Sequence, residues 1–215
     1  MKVKGLILKD LILMKNNFKK LYVIIIAFSL LPGFQNKDYF LMLTTFIVSM
    51  LLASQVVTGI AIDEQSGWKY AVLSMPVSIR QVVLEKYILT LGLAVLSAMI
   101  LSVTGGLAGF VFDLEGYSIV FSIIEGFLLV IIFNLLNIPV TYRYGAEAAK
   151  YFLLLFIAIP VIAVYVFHFF KIDGNAVVIR FMDNIYFLSL GIAVIAIMLI
   201  AGSVALAVKS YEKLL

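Results

Sequence analysis

A chain of 215 residues with a mean hydropathy of +1.16 carries charge at 13% of its positions, whereas a soluble domain uses roughly 25% to wet its surface. The apolar surplus has to face lipid, which excludes an ordinary water-soluble domain. With no cysteine, disulfides, thiolate metal sites and cysteine nucleophiles are excluded, and the single histidine, His168, weighs against a His-based metal cluster or a Ser-His triad.

The opening stretch "MKVKGLILKDLILMKNNFKK" is too long and too lysine-rich for a secretory signal and no cleavage site follows, so it is expected to be retained. Val3, Ile7, Leu11, Met14 and Phe18 recur at three- and four-residue spacing, the pattern of an amphipathic helix. Such a helix lies in the membrane interface or packs in the cytosol on another subunit. Six apolar runs then follow, roughly 18–34, 39–60, 87–112, 117–141, 147–170 and 185–208, each near the ~20 residues a spanning helix needs. Continuous runs of this length exclude membrane strands. The predicted fold is therefore an all-α integral membrane protein, one domain over 1–215, with six transmembrane helices.

Lysine and arginine orient it. Lys2, Lys4, Lys9, Lys15, Lys19, Lys20, Lys69, Arg80, Lys86, Arg143, Lys150, Lys209 and Lys213 fall on one side and only Lys37, Lys171 and Arg180 on the other. Thirteen against three places both termini in the cytoplasm. The net charge of +4 then reflects this bias and attraction to anionic lipid, without nucleic acid. The outer connections 35–38 and 113–116 are too short for a receptor domain, and the half-apolar 171–184 connection is expected to dip back into the outer leaflet.

Two inner connections hold the dense polar chemistry. In "DEQSGWKYAVLSMPVS", Asp63 and Glu64 are expected to open a short helix, where carboxylates complement the N-terminal dipole. Trp68 shares a face with Glu64. Pro76 ends this helix, and Ser78 with Gln81 forms a capping box stapled by Val77 and Val82, so a new helix starts at Ile79. The segment is thus an ordered helix-turn-helix, suited either to receive force from a soluble partner or to anchor in the interface through Trp68. In "PVTYRYGAEAAKYF", Pro139 lies near a span end, Gly145 permits reversal, and Ala146 restarts a helix with Glu147 in its first turn.

Glu125 lies inside the fourth run, where a carboxylate costs roughly 2.5–3.5 kcal/mol to insert. It either contacts a cationic or amphipathic substrate along a pathway or is a hydrogen-bonded structural group. Asn134 and Asn137 are expected to bond to neighbouring helices, and Ala94, Ala98, Ser102, Gly105 and Gly109 form a small-residue seam for close packing. Pro160 is expected to kink the fifth span, and His168 to sit at an outer interface or to sense protons.

These segments, in order along the chain, resemble the membrane subunit of type-2 ABC exporters, the permeases of antibiotic and amphipathic-peptide export, phenol-soluble-modulin-type exporters among them. "LILKDLILMKNN" is similar to the family's N-terminal Lys-Asp signature, at Lys9, Asp10 and Lys15. The likeness continues in Glu64, Trp68, Leu73, Pro76, Ser78, Lys86 and Tyr87, in Pro139, Tyr144, Gly145, Glu147 and Lys150, and in the tail "KSYEKL". The resemblance implies a coupling helix over Asp63 to Leu73 between spans two and three. ATPase-coupling residues would then be Asp63, Glu64, Trp68, Lys69, Tyr144, Gly145 and Glu147, with Glu125 as the pathway candidate. It also implies a second permease subunit and a separate ATP-binding subunit that holds ATP and magnesium. The surroundings would be a bacterial cytoplasmic membrane, the cargo amphipathic or hydrophobic peptides. No catalytic, metal or cofactor site is expected in the chain itself, because a P-loop ends in Gly-Lys and no Gly-Lys pair occurs. The alternatives are an intramembrane enzyme, disfavoured by the lone histidine, and a non-transporting protein such as an immunity factor.

Overall fold

The computed structural model describes residues 4–15, 37–114, 116–169 and 185–213. These form seven helices and, among the described residues, no strand. Helix α1 covers 4–15, α2 Lys37–Gln65, α3 Trp68–Ser74, α4 Ile79–Phe112, α5 Gly116–Tyr144, α6 Ala146–Phe169 and α7 Ile185–Glu212. Three of them, α2, α4 and α5, are long and apolar enough to cross a membrane; α6 and α7 have 24 and 28 residues. The expected first span, 18–34, and the outer segment 171–184 lie outside the described residues, as do the side chains of Pro160 and His168.

Local chemistry sets the boundaries. Ser78 Oγ accepts from the Gln81 backbone N–H while Gln81 Oε1 accepts from the Ser78 N–H at 3.0 Å, so the capping box that the sequence predicts opens α4. Gly67, at φ +67°, and Gly145, at φ +84°, take the left-handed conformation that ends α2 and α5. One boundary differs from expectation. Asp63 and Glu64 end α2 rather than opening a coupling helix, and α3 is a separate seven-residue turn after Gly67. The apolar run of α2 simply propagates until the first glycine, carrying both acids with it.

Helix α5 is the hub, packing on α2, α4, α6 and α7. Its approach to α4 and α2 is set by small side chains. A Cβ on Gly126 would collide with Leu101 of α4 and come 2.9 Å from Ser49 Oγ of α2, and Ser49 and Ser97 are hydrogen-bonded at 3.3 Å beside it. On α4, Gly105 and Gly109 receive Ile119, as the small-residue seam predicts, but Ser102 faces outward. Asn134 and Asn137, both fully buried, make no hydrogen bond to a neighbouring helix among the described residues. Asn134 Nδ2 donates to Val130 O of its own helix, and Asn137 Oδ1 accepts from Thr141 Oγ1. Pro139 lies within α5 and cannot donate to the carbonyl of Leu135. Ser203 Oγ of α7 donates to that carbonyl instead and is itself 2.7 Å from Tyr87 Oη of α4. One orphaned acceptor therefore ties three helices together.

Candidate functional site: a charged clasp at the inner connections

The end of α2, the start of α4, the α5–α6 turn and the end of α7 meet at one end of the molecule, and α1 lies against them. At the centre, Lys86 of α4 is buried with its ammonium between two aspartates. It is ion-paired to Asp10 of α1 and lies 3.0 Å from Asp63 Oδ2 of α2. Lys9 closes the ring. It pairs with the other Asp63 oxygen, lies 2.9 Å from Asp10 Oδ1, and sits 4.4 Å from the centroid of the Trp68 ring. Two cations and two anions thus alternate around a closed circuit joining three helices. A carboxylate at the C-terminal end of α2 opposes the helix dipole, so Asp63 needs both lysines. Glu85, also buried, places Oε2 3.6 Å from Lys86. Burial raises the Asp10 pKa, but the ammonium groups of Lys86 and Lys9 outweigh it and hold the carboxyl below its ordinary range.

This circuit fixes the rotation of the N-terminal helix. The face of α1 that packs inward is Leu6, Asp10 and Met14, while Leu8, Leu11 and Ile12 are exposed. A buried charge that would be costly alone is anchored by Lys86 and sets the rotation of the helix. The exposed apolar strip suits contact with lipid.

Glu64 makes the second link. Its Oε2 accepts from the Ala146 backbone N–H at 3.1 Å, capping α6 from another part of the chain. A carboxylate at a helix N-terminus complements both the free N–H groups and the dipole. Gly145 makes room for it, since a Cβ there would come 3.3 Å from Glu64 Oε1. The two inner connections are therefore joined directly. Beneath this link Tyr142 and Tyr211 stack edge-to-face at 5.1 Å, and burial raises the Tyr211 pKa. Asp63, Glu64, Trp68, Tyr142, Gly145 and Tyr211 surround a small cavity of about 80 Å³. A wider open groove of about 510 Å³ is lined by Glu64, Gln65, Tyr144, Glu147 and Lys150.

Of the residues singled out in the sequence, Asp63, Glu64, Trp68, Tyr144, Gly145 and Glu147 come together here. Asp63 and Glu64 are engaged within the chain. Tyr144 is exposed beneath the Arg143 guanidinium, 5.1 Å away, and Glu147 is exposed 3.3 Å from Lys150. Lys69 is on α3, its side chain outside the described residues. Glu125 is half-buried on α5, nineteen residues and so about 28 Å of helix from Tyr144, and has no ion pair or hydrogen bond among the described residues. Sequence reasoning used Lys9 and Lys86 for orientation, noticed Asp10 only as part of a resemblance, and gave none of the three a partner. The available signal was an excess of charge at helix ends flanked by apolar residues, where buried charges have to pair. Among the described residues no group of three or more His, Asp or Glu is arranged to hold a metal ion.

The model of a family described as ABC-2 family transporter protein matches residues 5–212, so the chain belongs to that family. It is thereby a multi-pass transmembrane subunit of an ABC transporter, whose partner is an ATP-binding ABC subunit. No curated protein and no solved structure matches it.

Proposed function

We propose that the chain is the permease half of an exporter of amphipathic or hydrophobic peptides, and that the clasp is where it receives force from its ATPase. In this reading six spans cross a bacterial cytoplasmic membrane with both termini inside, and two permease subunits, identical or not, enclose the pathway. The ATPase docks on α3 and on the α5–α6 turn. The observation that carries the reading is the bond between Glu64 and the Ala146 N–H: a push on either inner connection is passed to the other, and through Asp63, Lys86 and Asp10 to α1 and α4. ATP binding acts by favouring one arrangement of the paired ATPases, and its leverage is the difference in binding between states. Trp68 stiffens α3 under Lys9, while Glu125 is a group along the pathway.

The test is Glu64→Lys combined with Trp68→Ala in the assembled transporter. The double variant is expected to insert and assemble, to hydrolyse ATP, and to export no peptide. Export at the wild-type rate would refute the docking role. Glu125→Ala, in contrast, is expected to alter the range or rate of cargo with ATPase binding intact.

A further inference from the structure

Helices α5 and α7 leave between them a half-open groove of about 400 Å³. Its walls are apolar, with Ile132 and Leu136 on α5 and Leu199 and Leu206 on α7. Its polar groups are unevenly placed. Arg143 and Ser210 lie together at the end nearest the clasp, while the opposite end, from Ile132 to Met198, is apolar. Arg143 is exposed and has no ion pair among the described residues. The floor is opened by Pro139, which breaks the backbone ladder of α5, and by Gly202, a position where an added Cβ meets nothing within 4 Å.

The length is informative. Eleven residues of α5 separate Ile132 from Arg143, about 16 Å of helix, and one leaflet contributes about half of a ~30 Å hydrocarbon core. A slot one leaflet deep, greasy along its length and cationic at its inner end, has the length and charge order of one phospholipid acyl chain with its headgroup. The helix dipole accounts for a cation in the last turn of α5, but not for its position at the mouth of an apolar groove.

We propose that this groove is a binding site for an anionic phospholipid of the inner leaflet, its acyl chain against Leu136, Leu199 and Leu206 and its headgroup phosphate on Arg143. The leaflet rests on the orientation proposed above; the site does not. Because Tyr144 and Gly145 follow Arg143 directly, a lipid held there would also brace the α5–α6 turn.

Native mass spectrometry tests this on the permease purified with its ATP-binding partner and released from nanodiscs of equal phosphatidylglycerol and phosphatidylcholine. Wild type is expected to retain phosphatidylglycerol over phosphatidylcholine by about fivefold, the preference one interfacial cation confers. Arg143→Gln should bring that ratio to parity. Gly202→Leu, which fills the groove from an open position, should reduce retention of both lipids. Equal retention of the two lipids by wild type, or unchanged retention in both variants, overturns the proposal. So does efficient copy-to-copy cross-linking through Leu206→Cys in this otherwise cysteine-free chain, because a second protomer would then occupy the groove. Insertion is read separately from Lys213→Cys and a membrane-impermeant maleimide on intact cells: protection supports the inner leaflet, and labelling from outside overturns that assignment while lipid retention still judges the groove.

Discussion

The two ends of the described helices are held by different physics. At the clasp, cohesion is ionic and directional: Lys86, Asp10, Asp63 and Lys9 form a circuit whose members come from three helices. Further along α4 and α5, cohesion is a matter of shape, with Ile119 seated on Gly105 and Gly109 and Leu101 pressed on Gly126. The contrast suits a machine in which one end is gripped and moved as a unit while the other lets helices adjust within lipid, where apolar attraction gives little specificity.

Breaking the clasp should have the largest effect. Lys86→Met removes one of two cations from each of Asp10 and Asp63, and loss of one partner of a buried pair costs about 3–5 kcal/mol. Thermal unfolding in detergent should show a large loss, partly restored by adding Asp10→Asn. A smaller effect is expected at the packed end. Gly126→Leu forces α5 away from Leu101 and Ser49, with overpacking that costs about 1–3 kcal/mol. Gly106→Leu, where an added Cβ meets nothing within 4 Å, should be close to neutral in the same assay. Equal effects at the two glycines would remove the distinction drawn here. A modest change belongs to the link between α4, α5 and α7. Ser203→Ala returns the Leu135 carbonyl to its orphaned state and costs about 1 kcal/mol, read as a modest drop in melting temperature.

Much of the fold is legible in the residues, and the reasons differ by region. Long apolar runs locate α2, α4 and α5 because nothing but a helix satisfies that much backbone in lipid. Ser78 and Gln81 announce α4 because a capping box is a local device, complete within four residues. The clasp is not local. Lys86 and Asp10 are 76 residues apart, and spacing along one strand of sequence cannot tell a paired charge from a solvated one. The same blindness hides which face of α1 packs on the rest of the chain, because that face is chosen by burial of Asp10, which leaves Leu8, Leu11 and Ile12 turned outward. Asp63 and Glu64 look like helix-opening acids in isolation; only the partners Lys9, Lys86 and Ala146 explain why they are tolerated at a helix end.

The account rests on α3 being the surface that the ATP-binding subunit grips, and two tyrosines at opposite ends of the molecule measure this most directly. Tyr70 on α3 is 69% exposed and Tyr117 at the start of α5 is 74% exposed. With a photo-reactive phenylalanine replacing each in turn in the assembled transporter, cross-links to the ATP-binding subunit are expected from position 70 and not from position 117. Cross-linking from position 117, or none from position 70 in an active complex, would contradict it.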